Sequence, residues 1–101
     1  MNQITVDQLA TLDEPTLIDV RERNEYDAGH VPCAVNLPLS ELTGRITDVP
    51  NEGPVYVICQ SGGRSAKATT LLTEHGIDAI NIEGGTTAWT QHRHTIVAEQ
   101  P

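Results

Sequence analysis

The feature that most limits what this chain can fold into is an alternation. Short β-branched apolar runs take turns with segments of helical spacing. Thr16-Leu17-Ile18-Asp19-Val20, Ala34-Val35-Asn36-Leu37, Val55-Tyr56-Val57-Ile58 and Ala79-Ile80-Asn81-Ile82 each read as a strand bounded by Pro, Gly or charged residues. Between them lie helix candidates. Glu22 to Ala28 is polar enough for a surface helix and stops at Gly29. Ser40 can cap a helix over Glu41 to about Thr47, and Asn51-Glu52-Gly53-Pro54 is a turn. Arg64 to His75 is the longest helix candidate, with Gly76 as its stop, and Gly84-Gly85 opens a last helix containing Trp89. Ahead of the first strand, Thr5-Val6-Asp7-Gln8 has capping-box spacing, which predicts a short helix through Leu9 to about Leu12. This order predicts an α/β domain built on a mostly parallel sheet, one domain over residues 1–101.

In such folds ligands bind beyond the carboxyl ends of the strands. Asp19-Val20-Arg21, Cys59 and Glu83-Gly84 all stand at such ends. They are expected to share one face of the domain.

Composition narrows the partners. The formal net charge is −8, which disfavours nucleic acid or an anionic membrane surface. An anion must therefore be drawn by a local field. With one Trp, two Tyr and no Phe, the core must be built from Val, Ile, Leu and Ala. No apolar stretch approaches the roughly 20 residues of a membrane span, and MNQITVDQL lacks the basic and apolar parts of a signal peptide. A soluble, cytoplasmic, monomeric protein is the expectation. Cys33 and Cys59 make neither a disulfide framework nor a CxxC pair, so both are expected as thiols.

The chemistry concentrates in CQSGGRS, residues 59–65, between the strand PVYVI and the helix AKATTLLTEHG. N–H groups at a helix start lack partners and carry partial positive charge. A Gly-rich loop can turn several of them inward as an anion nest. Gly62 and Gly63 permit that turn, and Arg64 adds a fixed charge. A cysteine at the mouth of such a nest loses its proton readily, because sites of this kind bring a thiol from about 8.5 to roughly 3.5–7.5. Distant negative charges are screened beyond a Debye length of about 8 Å. Two chemistries use such a loop: phosphoryl transfer to a thiolate, and sulfur transfer through a persulfide. The Cys59-x4-Arg64 spacing is one residue shorter than the Cys-x5-Arg phosphatase loop, and Ile58 stands where the phosphatases usually carry His. Both details favour sulfur.

Three stretches together resemble the single-domain rhodaneses, the thiosulfate sulfurtransferase family. LIDVRERNEYDAGHVPCAVNLPL is similar to that family's strand ending in Asp-Val-Arg and its Gly-His-Ile-Pro-Gly-Ala turn. CQSGGRS resembles its active loop and EGGTTAW its closing Gly-Gly-x-x-x-Trp. The resemblance runs from about Ile4 to Val97 and implies a five-stranded parallel sheet flanked by helices. It implies that Cys59 is the nucleophile. The outer sulfur of thiosulfate, or of another persulfide donor, would move to Cys59, be held by the N–H groups from Gln60, Ser61, Gly62, Gly63 and Arg64 to Ser65, and pass to a thiol, cyanide or a sulfur-acceptor protein. No cofactor beyond the covalent persulfide is implied. Arg64 would orient the loop and hold the donor, and Asp19 and Arg21 would brace it. Two positions depart from the pattern: Gln60 replaces a frequent Arg, which Lys67 one helical turn beyond Arg64 could offset, and Cys33 replaces a Gly.

Other residues read more plainly. Cys33 lies at the amino end of its strand, about 13 Å from the end that carries Cys59, too far for a disulfide, and is expected to be a small packing residue. His30 is expected to hydrogen-bond within its turn. His92 and His94 are expected at a solvated helix end, with no metal site, because no carboxylate or cysteine stands near them at ligand spacing. Trp89 is expected in the core, and the acidic Asp13-Glu14 and Glu22 to Asp27 clusters on solvated faces. Two other readings stay open: a phosphatase or arsenate reductase of the same fold, and a non-catalytic interaction module.

Overall fold

The computed structural model describes residues 2–98. The elements run β1 (Gln3–Ile4), α1 (Val6–Ala10), β2 (Leu17–Asp19), α2 (Arg23–Ala28), β3 (Val35–Asn36), α3 (Leu39–Leu42), a 3₁₀ segment (Thr43–Asp48), β4 (Val55–Ile58), α4 (Gly63–Glu74), β5 (Ala79–Ile82) and α5 (Gly85–Gln91). The strands form one five-stranded sheet in the order β1-β5-β4-β2-β3, parallel throughout. β4 is central, hydrogen-bonded to β2 on one side and β5 on the other.

Each face of the sheet has its own apolar layer. One gathers Ile18, Val55, Val57, Ala68 and Leu72 beneath α3 and α4; the other gathers Leu17, Ile58, Ile82, Leu9 and Trp89 beneath α1 and α5. This split follows from the two-residue repeat of a strand. Val55, Val57 and Cys59 share the α4 side, whereas Ile58 points the other way. The strand alternation therefore aims the Cys59 side chain beneath the start of α4. Trp89 is buried, as expected, and its Nε1–H donates to the Thr95 carbonyl at 2.7 Å.

The capping box forms as read: Thr5 Oγ1 accepts from the Gln8 N–H, and the Gln8 side chain accepts from the Thr5 N–H. Three details differ from the sequence reading. β1 is a strand that four-residue patterns cannot reveal, because only two residues pair with β5. Ser40 is not a helix cap. Pro38 occupies that position, and Ser40 inside α3 donates its hydroxyl proton to Glu22 at 3.1 Å. The expected helix to Thr47 breaks into α3 and a 3₁₀ segment, with Arg45 off helical geometry at φ −128° and ψ 22°. Among the described residues no helix is long and apolar enough to cross a membrane.

Candidate active site

Cys59 follows directly on β4, and the loop that carries it turns directly into α4. Gly62 caps that helix at φ 112°, a left-handed value that disfavours any residue with a Cβ. The turn brings the Gly62 N–H to 3.0 Å from Cys59 Sγ. The residue is 1% exposed, and burial by itself works against ionisation. Hydrogen bonds from the Ser65 side chain and from the backbone N–H groups of Ser65, Gly62 and Ser61 outweigh it, so the thiol lies below its ordinary value. Of the loop residues, Ser61, Gly62 and Ser65 thus donate to the sulfur.

Ser65 is the floor of this set. As a thiol, Cys59 donates to Ser65 Oγ at 3.3 Å, and Ser65 donates onward to Asn81 Oδ1 at 2.5 Å. A hydroxyl has one proton. When the sulfur ionises, Ser65 can swing that proton from Asn81 to the thiolate. Asn81 is buried on β5, and sequence reading missed it because it reads only as a polar interruption of a strand.

The base of the loop is gripped from the opposite side. The Thr86 and Thr87 N–H groups donate to the carbonyls of Cys59 and Gln60 at 2.8 and 2.9 Å. Gly85 makes this approach possible, since a Cβ there would lie 2.5 Å from the Cys59 carbonyl oxygen at φ +58°. That is the physical content of the Gly-Gly pair in EGGTTAW.

Asp19, Arg21, Glu25 and Arg64, the charged residues beside the loop, are all committed. Asp19 and Arg21 are buried and pair at 2.9 Å. Arg21 reaches on to the Gly29 carbonyl at 2.7 Å and to Gln60 Oε1 at 3.1 Å. Gln60 also donates to Thr87 Oγ1 at 2.8 Å, so its side chain is held at both ends. Arg64 makes a two-pronged pair with Glu25 at 2.6 and 2.8 Å. The Arg64 hydrogen bonds hold the Glu25 carboxyl down at about 2. Lys67 stands exposed on α4 with no ion-pair partner among the described residues. The sheet ends therefore bring Asp19, Arg21, Gln60 and Arg64 together around Cys59, while Lys67 stays outside the hydrogen-bonded set. Glu25 was invisible in the sequence because nothing local marks which acidic residue of α2 meets Arg64. A depression of about 350 Å³ adjoins the loop, lined by Arg21, Glu25, Gly29, Gln60, Thr86 and Ile96.

His30 is buried, stacks on Tyr26 at 3.7 Å and meets the Tyr26 carbonyl through Nδ1 at 2.7 Å, which fixes the proton on that nitrogen. Cys33 is not a packing residue: it is exposed, in a left-handed turn at φ 73°. A glycine preference at that position has this cause. Both cysteines are free. His92 and His94 are not merely a solvated helix end, because both rings face Asp7.

With this geometry in view, similarity to known proteins decides the family. The sequence profile of the Rhodanese-like domain matches residues 5–92. The chain belongs to the rhodanese-like family. It is 33% identical over 94 residues to a sulfurtransferase of Allochromatium vinosum, covering 92% of this chain and 88% of that protein. It is 43% identical over 74 residues to the uncharacterized protein YqhL of Bacillus subtilis, covering 72% of this chain and 59% of the relative. The chain thus spans somewhat under two thirds of that relative's length. The crystal structure of a rhodanese-related protein from Thermoplasma volcanium superposes with a TM-score of 0.91 at 30% identity, covering 98% of this chain and 100% of that one. The family and fold implied by DVR, CQSGGRS and EGGTTAW are those of this rhodanese-like domain.

Proposed function

We propose that this rhodanese-like domain is a sulfurtransferase that carries sulfur on Cys59. The observation that supports it most is the sulfur's position: Sγ lies against the Gly62 N–H and Ser65 at the start of α4, a place that stabilises a sulfur anion. In the first step the Cys59 thiolate attacks the outer sulfur of a donor. A new S–S bond forms, the donor's own S–S bond breaks, and its electron pair leaves with sulfite from thiosulfate or with a thiolate from a persulfide. In the second step an acceptor thiolate or cyanide attacks the outer sulfur, and Cys59 leaves as thiolate. This is covalent catalysis in two displacements.

The rim favours a persulfide over thiosulfate as donor. Thiosulfate is a dianion, and the cations beside the loop are already paired: Arg64 with Glu25, Arg21 with Asp19. Gln60, where an Arg would add charge, is turned to Arg21 and Thr87. The N–H donors of the nest are then the main attraction for the donor anion.

The test is to incubate reduced protein with each donor, record its intact mass, and then add cyanide and follow thiocyanate. One added sulfur from a persulfide, with thiosulfate effective only at high concentration, is the expected result. Glu25→Gln, which releases Arg64, should lower the KM for thiosulfate severalfold. No added sulfur from either donor would overturn the proposal and favour an interaction module. Turnover of phosphate esters or arsenate would favour the other thiol chemistry.

A further inference from the structure

A second cluster of chemically competent side chains lies where the start of α1 meets the end of α5. Asp7 in the first turn of α1 meets His92 and His94 from the far end of the chain, 85 and 87 residues later. His92 Nδ1 lies 3.0 Å from Asp7 Oδ1, and His94 Nε2 lies 2.8 Å from the same oxygen. The three ligand atoms all fall within 4.8 Å of one another.

The way the chain ends α5 produces this convergence. His92 is the C-cap, Arg93 follows at φ 65°, and the Arg93 and His94 N–H groups return to the Thr90 and Trp89 carbonyls at 2.9 and 3.1 Å. That is the paired backbone bonding of a Schellman turn. Glycine normally occupies the left-handed position, and here an Arg accepts it. The turn swings His94 back onto Trp89, with ring centroids 4.5 Å apart, so the second imidazole is held by packing. Its neighbour His92 and Asp7 are exposed, which leaves the cluster open to solvent.

We propose that Asp7, His92 and His94 form a binding site for a divalent transition-metal ion of the zinc class. Two imidazole nitrogens and one carboxylate oxygen are a donor set suited to zinc, with water completing the coordination. Zinc bonds of about 2.0–2.2 Å place tetrahedral ligands roughly 3.4 Å apart. The two nitrogen–oxygen separations, 3.0 and 2.8 Å, are shorter than that, so an entering ion spreads the rings away from Asp7. In the empty site the ring nitrogens that face Asp7 donate their protons to its carboxylate, so a neutral ring must move that proton to its other nitrogen to meet the ion, and a charged ring must release one to water. Binding therefore strengthens as pH rises. The chain's net charge of −8 adds a general attraction for a cation. The site would clasp α1 to α5, the helix whose first turn grips the Cys59 loop.

The experiment uses the untagged full chain carrying Cys33→Ser and Cys59→Ser, so that no thiol competes. Zinc chloride is titrated by calorimetry, and the histidine rings are followed by NMR. One equivalent should bind, with the rings of His92 and His94 shifting and those of His30 and His75 unmoved. Asp7→Asn and His92→Gln should each weaken binding at least tenfold while the circular dichroism spectrum is unchanged. At a hundredfold excess over Kd, zinc should raise the Tm by roughly 10 °C. Absence of saturable binding at millimolar zinc would overturn the proposal, as would an affinity that both variants leave unchanged. Sulfur loading of the native chain is measured separately, so failure here leaves the Cys59 chemistry untouched.

Discussion

Cys59 stands just beyond the central strand of the sheet, whereas Cys33 stands just ahead of an edge strand. The more buried of the two is the more acidic. Burial raises both thiols, but at Cys59 the donors from Ser65, Gly62 and Ser61 reverse the effect, while Cys33 has only the burial and lies above its ordinary value. Access to water therefore does not decide which thiol becomes a thiolate. The Ser65 hydroxyl and the oriented N–H groups decide it, and the parallel sheet supplies them only beyond its carboxyl ends, where a helix begins.

The largest expected effect tests that contrast directly. Cys59→Ser should reduce sulfur loading and transfer at least a thousandfold, to background, whereas Cys33→Ser should stay within twofold of wild type; intact mass and thiocyanate release report both. Equal losses in the two variants would break the contrast. Next comes the scaffold behind Cys59. Gly85→Ala forces a Cβ against the Cys59 carbonyl, and should cost about 3 kcal/mol in urea unfolding, with transfer impaired in the protein that still folds.

The thiolate itself can be titrated by its absorbance near 240 nm. The Cys33→Ser protein should titrate below the ordinary thiol value, and the Cys59→Ser protein above it. Adding Ser65→Ala to the former should move its midpoint up, because the Ser65 hydroxyl that favours the thiolate is lost. The linkage to stability has opposite signs. The contribution of Cys59 is full above the unfolded thiol value of about 8.5 and is lost as pH falls through the lower folded value; that of Cys33 is full below about 8.5 and is lost as pH rises through the higher folded value. The Glu25–Arg64 pair adds a third window. With Glu25 held at about 2, its contribution is complete above the ordinary 4.5 and fades as pH falls toward 2. The smallest effect belongs to the turn: Cys33→Gly should stabilise by about 0.5–1 kcal/mol, because φ 73° suits glycine.

The central strands, α4 and the Cys59 loop were legible in the sequence because each is long enough, or chemically odd enough, to carry its own signal. Val55 to Ile58 and Gly63 to Glu74 need no distant partner to be recognised. β1 was not legible, because two residues show no period and their pairing with Asn81 and Ile82 is settled far along the chain. Ser40 had the composition of a cap, but Pro38 fixed the helix start two residues earlier. Arg64 with Glu25, Ser65 with Asn81, and Asp7 with His92 and His94 are long-range pairs, and spacing within one segment is silent about them.

The grip of Thr86 and Thr87 on the carbonyls of Cys59 and Gln60 has a consequence in time as well as in space. Those two amides join the loop to the first turn of α5, so neither side can breathe alone. Their hydrogen exchange should be slow and should share one opening energy with the amides of β4. The nest would then keep its arrangement of donors until the middle of the molecule lets go, and a donor delivers its sulfur to a site already set to receive it.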